Sequence, residues 1–239
     1  MTDTAQGVLP IQTLTDLADQ GALSAKAPFA TGQIQPASLD LRLGTMAYRL
    51  RASFLPGAGN RIADRLADFE MHRVDLTGGA VLEKGCVYLV PLQEYLSLPD
   101  DLDGVANAKS STGRLDLLTR TVTDGGTEFD RIPRGYTGPL YAEICPRSFS
   151  VLVRPGMRLN QLRLRRGQAV LPDDVLRVLH RDQTLVSGGD VLIDDGLGFS
   201  VDLRPKTGDL LGYRAKPHTG VIDLDRLNHY DPTEFWDRI

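Results

Sequence analysis

The chain has 239 residues, among them 24 glycines and 14 prolines, and a formal net charge of −4. That charge leaves no global basic field for a nucleic-acid polymer, so phosphate binding must be local. No apolar run approaches the roughly 18–20 residues of a membrane span, and the N-terminus lacks the basic-then-apolar pattern of a secretory leader. Cys86 and Cys145 make neither a disulfide framework nor a metal set, which suits a reducing, cytoplasmic setting.

Pro10 to Gln20 predicts a short amphipathic helix. Ile11, Leu14, Leu17 and Ala18 share a face, and Gly21 follows as a stop. Next comes Ile34-Gln-Pro-Ala-Ser-Leu-Asp-Leu-Arg-Leu-Gly44. Its tail alternates Leu39, Leu41 and Leu43 against Asp40 and Arg42, the pattern of a strand with one buried face. Further short strands are predicted at 80–84, 86–92, 117–123, 138–144, 149–154 and 158–164. Turns at Pro99-Asp-Asp, Asp124-Gly-Gly, Arg134-Gly and Pro155-Gly separate several of them. No long helix is expected before about residue 172, where Pro172 to His180 predicts a helical connector. The fold class is mainly β, with a short N-terminal helix and a few small helices.

A weak internal repeat follows. Ser38-Leu-Asp-Leu-Arg42 reappears as Ser200-Val-Asp-Leu-Arg204, and Tyr48-Arg49 as Tyr213-Arg214. Val74-Asp-Leu76 loosely resembles Ile222-Asp-Leu224. The expected organisation is one complete module over 1–170, a connector over 171–190, and the opening of a second, incomplete copy over 191–239. A fragment or a natural truncation is then expected, and a common strand pattern is the competing explanation of the matches.

Two stretches carry chemistry. Lys109-Ser-Ser-Thr-Gly-Arg114 offers two cations, three hydroxyls and a glycine within six residues. Lys109, Ser110, Ser111, Thr112, Gly113 and Arg114 are thus candidate polyphosphate ligands, because phosphate oxygens take charge-assisted donors and close backbone N–H groups. The Gly-x-x-x-x-Gly-Lys-Ser/Thr spacing of a P-loop is absent, and a plain solvated loop is the competing reading. Glu143 lies in Pro139-Leu-Tyr-Ala-Glu-Ile144. Alternation puts Leu140 and Ala142 on one face, Tyr141 and Glu143 on the other. An exposed strand glutamate is the bland reading, and half burial would suit it to general-base work. In Pro155-Gly-Met-Arg-Leu-Asn-Gln161, a turn feeding a strand, Gln161 is a candidate to read a base or sugar edge.

Zinc deaminases need His-x-Glu and Pro-Cys-x-x-Cys. None of His72, His180, His218 and His229 stands in His-x-Glu, and Cys145-Pro146 is not Pro-Cys-x-x-Cys. A zinc-activated hydroxide is disfavoured.

The segments at 34–44, 109–114, 135–138, 141–143 and 155–161 occur in the order seen in dCTP deaminases of the dUTPase superfamily, and the chain resembles that family over about residues 30–166. The likeness is closest to a longer bacterial form of two fused copies, which shares Thr123-Asp-Gly-Gly-Thr-Glu-Phe-Asp130. The resemblance implies a dUTPase-like distorted β-barrel, assembled as a homo-oligomer, trimeric or pseudo-trimeric, with sites between modules. It implies hydrolysis of dCTP to dUTP and ammonia without zinc, with magnesium bridging the substrate phosphates. It gives Glu143 the role of activating the water, Ser110 and Arg114 that of placing water, base and glutamate, and 109–114 that of holding the triphosphate. Tyr141 and Ala142 match a strand edge that reads the cytosine.

Two departures matter. Ile132-Pro-Arg-Gly-Tyr136 lacks the family's usual aspartate, and the loop before it is longer, so sugar recognition passes to Asp124 or Asp130, while Thr123 and Asp124 stand as candidate substrate ligands. The usual C-terminal lid is not plain; Tyr213-Arg-Ala-Lys216 is a candidate, against a plain second-copy strand. A dUTPase, a bifunctional deaminase–dUTPase and a non-catalytic nucleotide-binding fragment stand as alternatives.

Overall fold

Leu39 and Leu41 point into one apolar interior, and so do Leu140, Ala142 and Ile144 from a strand a hundred residues further on. Two sheets enclose that interior in the computed structural model, which describes residues 6–188, 190–201 and 210–239. One sheet runs in the order Arg131–Ile132, Leu102–Ala108, Arg158–Arg166, Ser38–Arg42, Ile34–Gln35, with Gly7–Val8 also on Arg158–Arg166. The other runs Leu117–Thr123, Thr137–Pro146, Val87–Ser97, Met46–Leu50, Glu70–Asp75, with Leu23–Ala25 also on Val87–Ser97. Their strand pairs are antiparallel, as short turns between neighbouring strands allow. A bridge between Leu43 and Leu92 ties the two sheets together.

The N-terminal helix spans Ile11–Asp19 and buries Leu14 and Leu17, close to the predicted bounds. Gly21 stops it at a φ of 79°, a backbone angle that favours glycine. The connector helix spans Asp173–Gln183, three residues longer than predicted at its C-terminal end. Asp173 and Asp174 open it and His180 and Arg181 close it, each charge complementing the helix dipole.

Three features depart from the sequence reading. The Ser38–Arg42 strand is buried on both faces: Asp40 is 1% exposed and Arg42 6%. Burial of such charges requires partners. Arg42 Nε lies 2.9 Å from Glu94 Oε1, and Lys109 is ion-paired to Asp40. Second, Met46–Leu50, Glu70–Asp75 and Leu102–Ala108 are strands where none was predicted. Third, a helix over Ile62–Phe69 stands where none was predicted. It belongs to a segment, residues 51–69, that folds over the outer face of the second sheet. There Leu50, Phe54, Ile62, Leu89 and Val122 make a separate apolar cluster, with Tyr48, Phe69, Phe129 and Tyr141 packed against it. Phe54 stacks on Phe69 with ring centroids 4.3 Å apart.

The C-terminal segment docks on the first module. Ile222–Asp223 runs parallel to Val151–Val153, and Ile222 and Phe235 join the main core. Phe149 meets the rings of both Phe235 and Trp236 edge-on, at 5.5 and 4.9 Å. Tyr213 pairs with Arg238 across a two-stranded ladder, as Tyr48 pairs with Arg73 165 residues earlier. Each ladder has a helix just before its second strand, Pro232–Phe235 in one and Ile62–Phe69 in the other. Ile222 does not take the place of Val74: its strand is a separate one, on Val151–Val153. The match at 200–204 lies largely outside the described residues, which omit 202–209.

Candidate active site

Glu143 sits on the Thr137–Pro146 strand, between Leu117–Thr123 and Val87–Ser97. Strand alternation sends Leu140, Ala142 and Ile144 to the main core and Glu143 outward beneath the 51–69 segment. The glutamate is only 3% exposed. Directly across the ladder lies Arg120, where opposite charges attract. Arg120 Nη2 donates to Glu143 Oε1 and, at 3.1 Å, to Ser53 Oγ of the overlying segment. The guanidinium carbon lies 3.6 Å from the centroid of the Phe129 ring. Glu143 Oε2 and Arg120 Nε are buried without protein partners.

The overlying segment is fastened at both sides of this pair. Asp124 Oδ1 accepts the Ile62 N–H at 2.7 Å, satisfying a donor at the start of the Ile62–Phe69 helix. The Gly57 N–H reaches Gly126 O at 3.1 Å, and the Gly125 N–H reaches Asn60 O at 2.8 Å. Tyr136 O–H donates to Pro139 O at 2.7 Å and accepts the Asp124 N–H at 3.1 Å. Tyr141 lines an apolar cleft of about 420 Å³ with Tyr48, Ile62, Leu66, Gln93 and Tyr95. Burial, then the nearby Asp124 charge, pushes its hydroxyl up to about 12.

The second half of the chemistry lies elsewhere. Lys109 leads into a one-turn helix, Ser110–Gly113, and Arg114 closes it. Lys109, Ser110, Ser111, Arg114, Gln161 and Arg163 border an open hollow of about 440 Å³. Lys109 is steadied there by Asp40, whose Oδ1 is buried without a partner. Arg114 Nε donates to Ser110 O at 3.3 Å. No hydrogen bond or ion pair links Ser110 or Arg114 to Glu143 among the described residues; Arg120, unmarked in the sequence reading, holds that carboxylate.

Several of the predicted ligands have partners within the chain or lie inside the fold. Thr112 is buried, and its hydroxyl donates to Leu159 O at 3.1 Å, so it braces the turn rather than facing a ligand. The space beside Gly113 is open, so a backbone approach there is unobstructed. Thr123 is fully buried, its side chain on the face that carries Leu117 toward the core. Asp124 is engaged by the helix start it caps, and Asp130 accepts the Thr121 N–H at 2.7 Å. Burial raises the Asp130 carboxyl above its ordinary range. Tyr141 and Ala142 are not at a strand edge: both pair with strands on each side. The Tyr213–Ala215 strand is held in its own ladder with Trp236–Arg238, and Lys216 Nζ donates to Thr233 O at 2.5 Å, so the lid candidate is engaged within the C-terminal segment.

Comparison with known proteins places these features. The family model described as 2'-deoxycytidine 5'-triphosphate deaminase N-terminal domain matches residues 5–168, and the C-terminal domain model matches 172–239. The dCTP deaminase of Haloarcula marismortui is 33% identical over 132 residues, covering 54% of this chain and 65% of its own length. A dUMP-forming dCTP deaminase of Beutenbergia cavernae is 30% identical over 136 residues, 56% of this chain and 67% of that protein. The crystal structure of 2'-deoxycytidine 5'-triphosphate deaminase from Agrobacterium tumefaciens superposes with a TM-score of 0.88 at 49% identity, covering 98% of this chain and 70% of that one. With that likeness, and with the two domain models together matching most of its length, the chain belongs to the 2'-deoxycytidine 5'-triphosphate deaminase family.

Proposed function

We propose that the chain carries out hydrolytic deamination of dCTP to dUTP and ammonia. The observation that carries this reading is the buried Glu143 carboxylate, one oxygen engaged by a cation and the other free of partners, within the matched N-terminal domain. A buried carboxylate with a free lone pair is equipped to take a proton from water. Water attacks C4 of the cytosine while Glu143 accepts its proton. That proton passes to ring N3, the remaining hydroxyl proton then passes to the amine, the C4–N4 bond breaks, ammonia leaves, and the oxygen remains as the C4 carbonyl of an N3-protonated uracil ring. Ser110 and Arg114 place water and base. Lys109, Ser110, Ser111 and Arg114 hold the triphosphate through hydroxyls and charge.

Magnesium belongs, in this reading, to the substrate, bridging its phosphate oxygens. The hollow supports that arrangement by offering cations and hydroxyls, which suit phosphate better than a metal. Among the described residues, no three His, Cys, Asp or Glu side chains converge as metal ligands. No described helix is long and apolar enough to cross a membrane, and the two free thiols suit a cytoplasmic setting.

The hollow and the carboxylate do not meet within one module. From Leu117 to Arg120 the strand covers about 10 Å, and Arg114 lies beyond it. This supports a homo-oligomer, trimeric or pseudo-trimeric, in which one module's hollow faces another's glutamate. One assay tests the reading: incubation with dCTP and magnesium, followed by product analysis. dUTP and ammonia support it, and no ammonia overturns it. dUMP with ammonia would add a phosphohydrolase step, which the exposed Pro133, standing at the place of the family's usual aspartate, disfavours.

A further inference from the structure

We propose that Arg120 is a positioning residue for the deamination. It holds Glu143 through Oε1 and so reserves Oε2 for the attacking water. This rests on the reading of Glu143 as the base.

Three observations carry it. First, burying a carboxylate to 3% exposure requires a counter-charge, and the Arg120 guanidinium is ion-paired to it. Second, Arg120 is itself held on three sides, by the Glu143 carboxylate, the Ser53 hydroxyl and the face of Phe129. A guanidinium fixed by stacking and hydrogen bonds offers its N–H groups in a rigid plane, which an ammonium cannot do. Third, the unused atoms are complementary. Glu143 Oε2 is an acceptor, Arg120 Nε is a donor, and both are buried without partners. Buried polar atoms of this kind are commonly satisfied by water. A water taking the Nε–H and donating to Oε2 would be oriented with one O–H on the base and a lone pair free to attack.

Ser53 and Phe129 make this more than a strand pair. Ser53 belongs to the segment over the site, and Phe129 to the 123–130 loop. Arg120 thus joins the two elements that cover the glutamate. Phe129 also packs in the second apolar cluster, which fixes the plane of the guanidinium stacked on it.

The test is steady-state ammonia release from dCTP by the full chain and by Arg120→Ala and Arg120→Lys, with thermal melting to establish that each variant is folded. The expected result is a kcat loss on the order of 100-fold in Arg120→Ala with KM little changed, the size seen when a preorganised polar group is removed from a reacting centre. Arg120→Lys should recover part of that loss, because it restores the charge but not the second donor. Added guanidinium ion should raise the rate of Arg120→Ala and leave the intact chain unaffected. A folded Arg120→Ala with unchanged kcat overturns the proposal, and so does a rise in KM at unchanged kcat. An intact chain that releases no ammonia overturns the deaminase reading itself, and the proposal falls with it. Turnover by the intact chain together with unaffected Arg120→Ala turnover overturns only the role of Arg120.

Discussion

The carboxylate of Glu143 and the hollow beside Ser110 are built on opposite principles. Glu143 is sealed under a segment, paired to a cation and flanked by aromatic rings. The hollow is open, and its hydroxyls and cations stand at a one-turn helix on the rim of the other sheet. Low dielectric strengthens each interaction at the first place, while water weakens those at the second. Under the proposed function the difference would separate reaction from capture: chemistry needs a fixed charge away from solvent, and a triphosphate needs an accessible landing place.

The largest effect that would break this division is at Glu143. Glu143→Gln removes the proton acceptor and should lower kcat by about 1,000-fold, within the usual range for a general base, while nucleotide binding by calorimetry survives. Retained turnover would show that the sealed carboxylate is not the base. Next comes Arg114→Ala. Loss of roughly 2 kcal/mol of charge-assisted bonding should lower kcat/KM by about 30-fold, and binding should weaken with the rate. An effect on kcat alone, with binding intact, would remove Arg114 from the capture half. Thr112→Val sharpens the same region: it should cost about 1 kcal/mol in denaturant unfolding and leave KM unchanged. Leu159 O keeps the Lys109 N–H at 2.9 Å when the hydroxyl is gone, which limits the loss.

The smallest expected effect concerns the docked C-terminal segment. Arg154, hydrogen-bonded to Asp223 at 2.7 Å, lowers that carboxyl to about 2. A carboxyl depressed in the folded state stabilises it above the ordinary carboxylate range, near pH 4, and loses that contribution as pH falls toward 2. Trp236, the single tryptophan, packs on Phe149 and reports the docking. Its emission should change between pH 4 and 2 in the intact chain, and over a higher range in Arg154→Ala. Identical titrations would remove the ion pair from the docking.

The strands that cross the core were legible because leucines and valines alternate there at the strand period. Leu39, Leu41, Leu140 and Leu162 all fall where alternation puts them. The Ser38–Arg42 strand misled because its polar face looks solvated in sequence, and only partners distant in the chain, Glu94 and Lys109, explain its burial. The Ile62–Phe69 helix is short, and its apolar residues face a satellite cluster rather than the main core, so its periodicity carried little weight. At the site, Glu143 stood out as a carboxylate in an apolar strand. Arg120 did not, because Thr-Arg-Thr is an ordinary exposed-strand pattern until the ladder sets it opposite Glu143. Thr112 shows the reverse failure: three adjacent hydroxyls look equivalent in sequence, but a helical turn points one of them inward.

The parallel pairing of Val151–Val153 with Ile222–Asp223 has a consequence for biosynthesis. The neighbouring Ala80–Leu82 strand is available as soon as residue 153 leaves the ribosome, but the partner on the other side is about seventy residues behind it. During that interval the Val151–Val153 edge and the ring of Phe149 are uncovered in an otherwise completed module. An open strand edge beside an aromatic surface is a template for pairing with another nascent chain. Slow translation across the connector would prolong that exposure, and yield in the cell should respond to the tempo of synthesis over residues 173–222 more than to the stability of the finished protein.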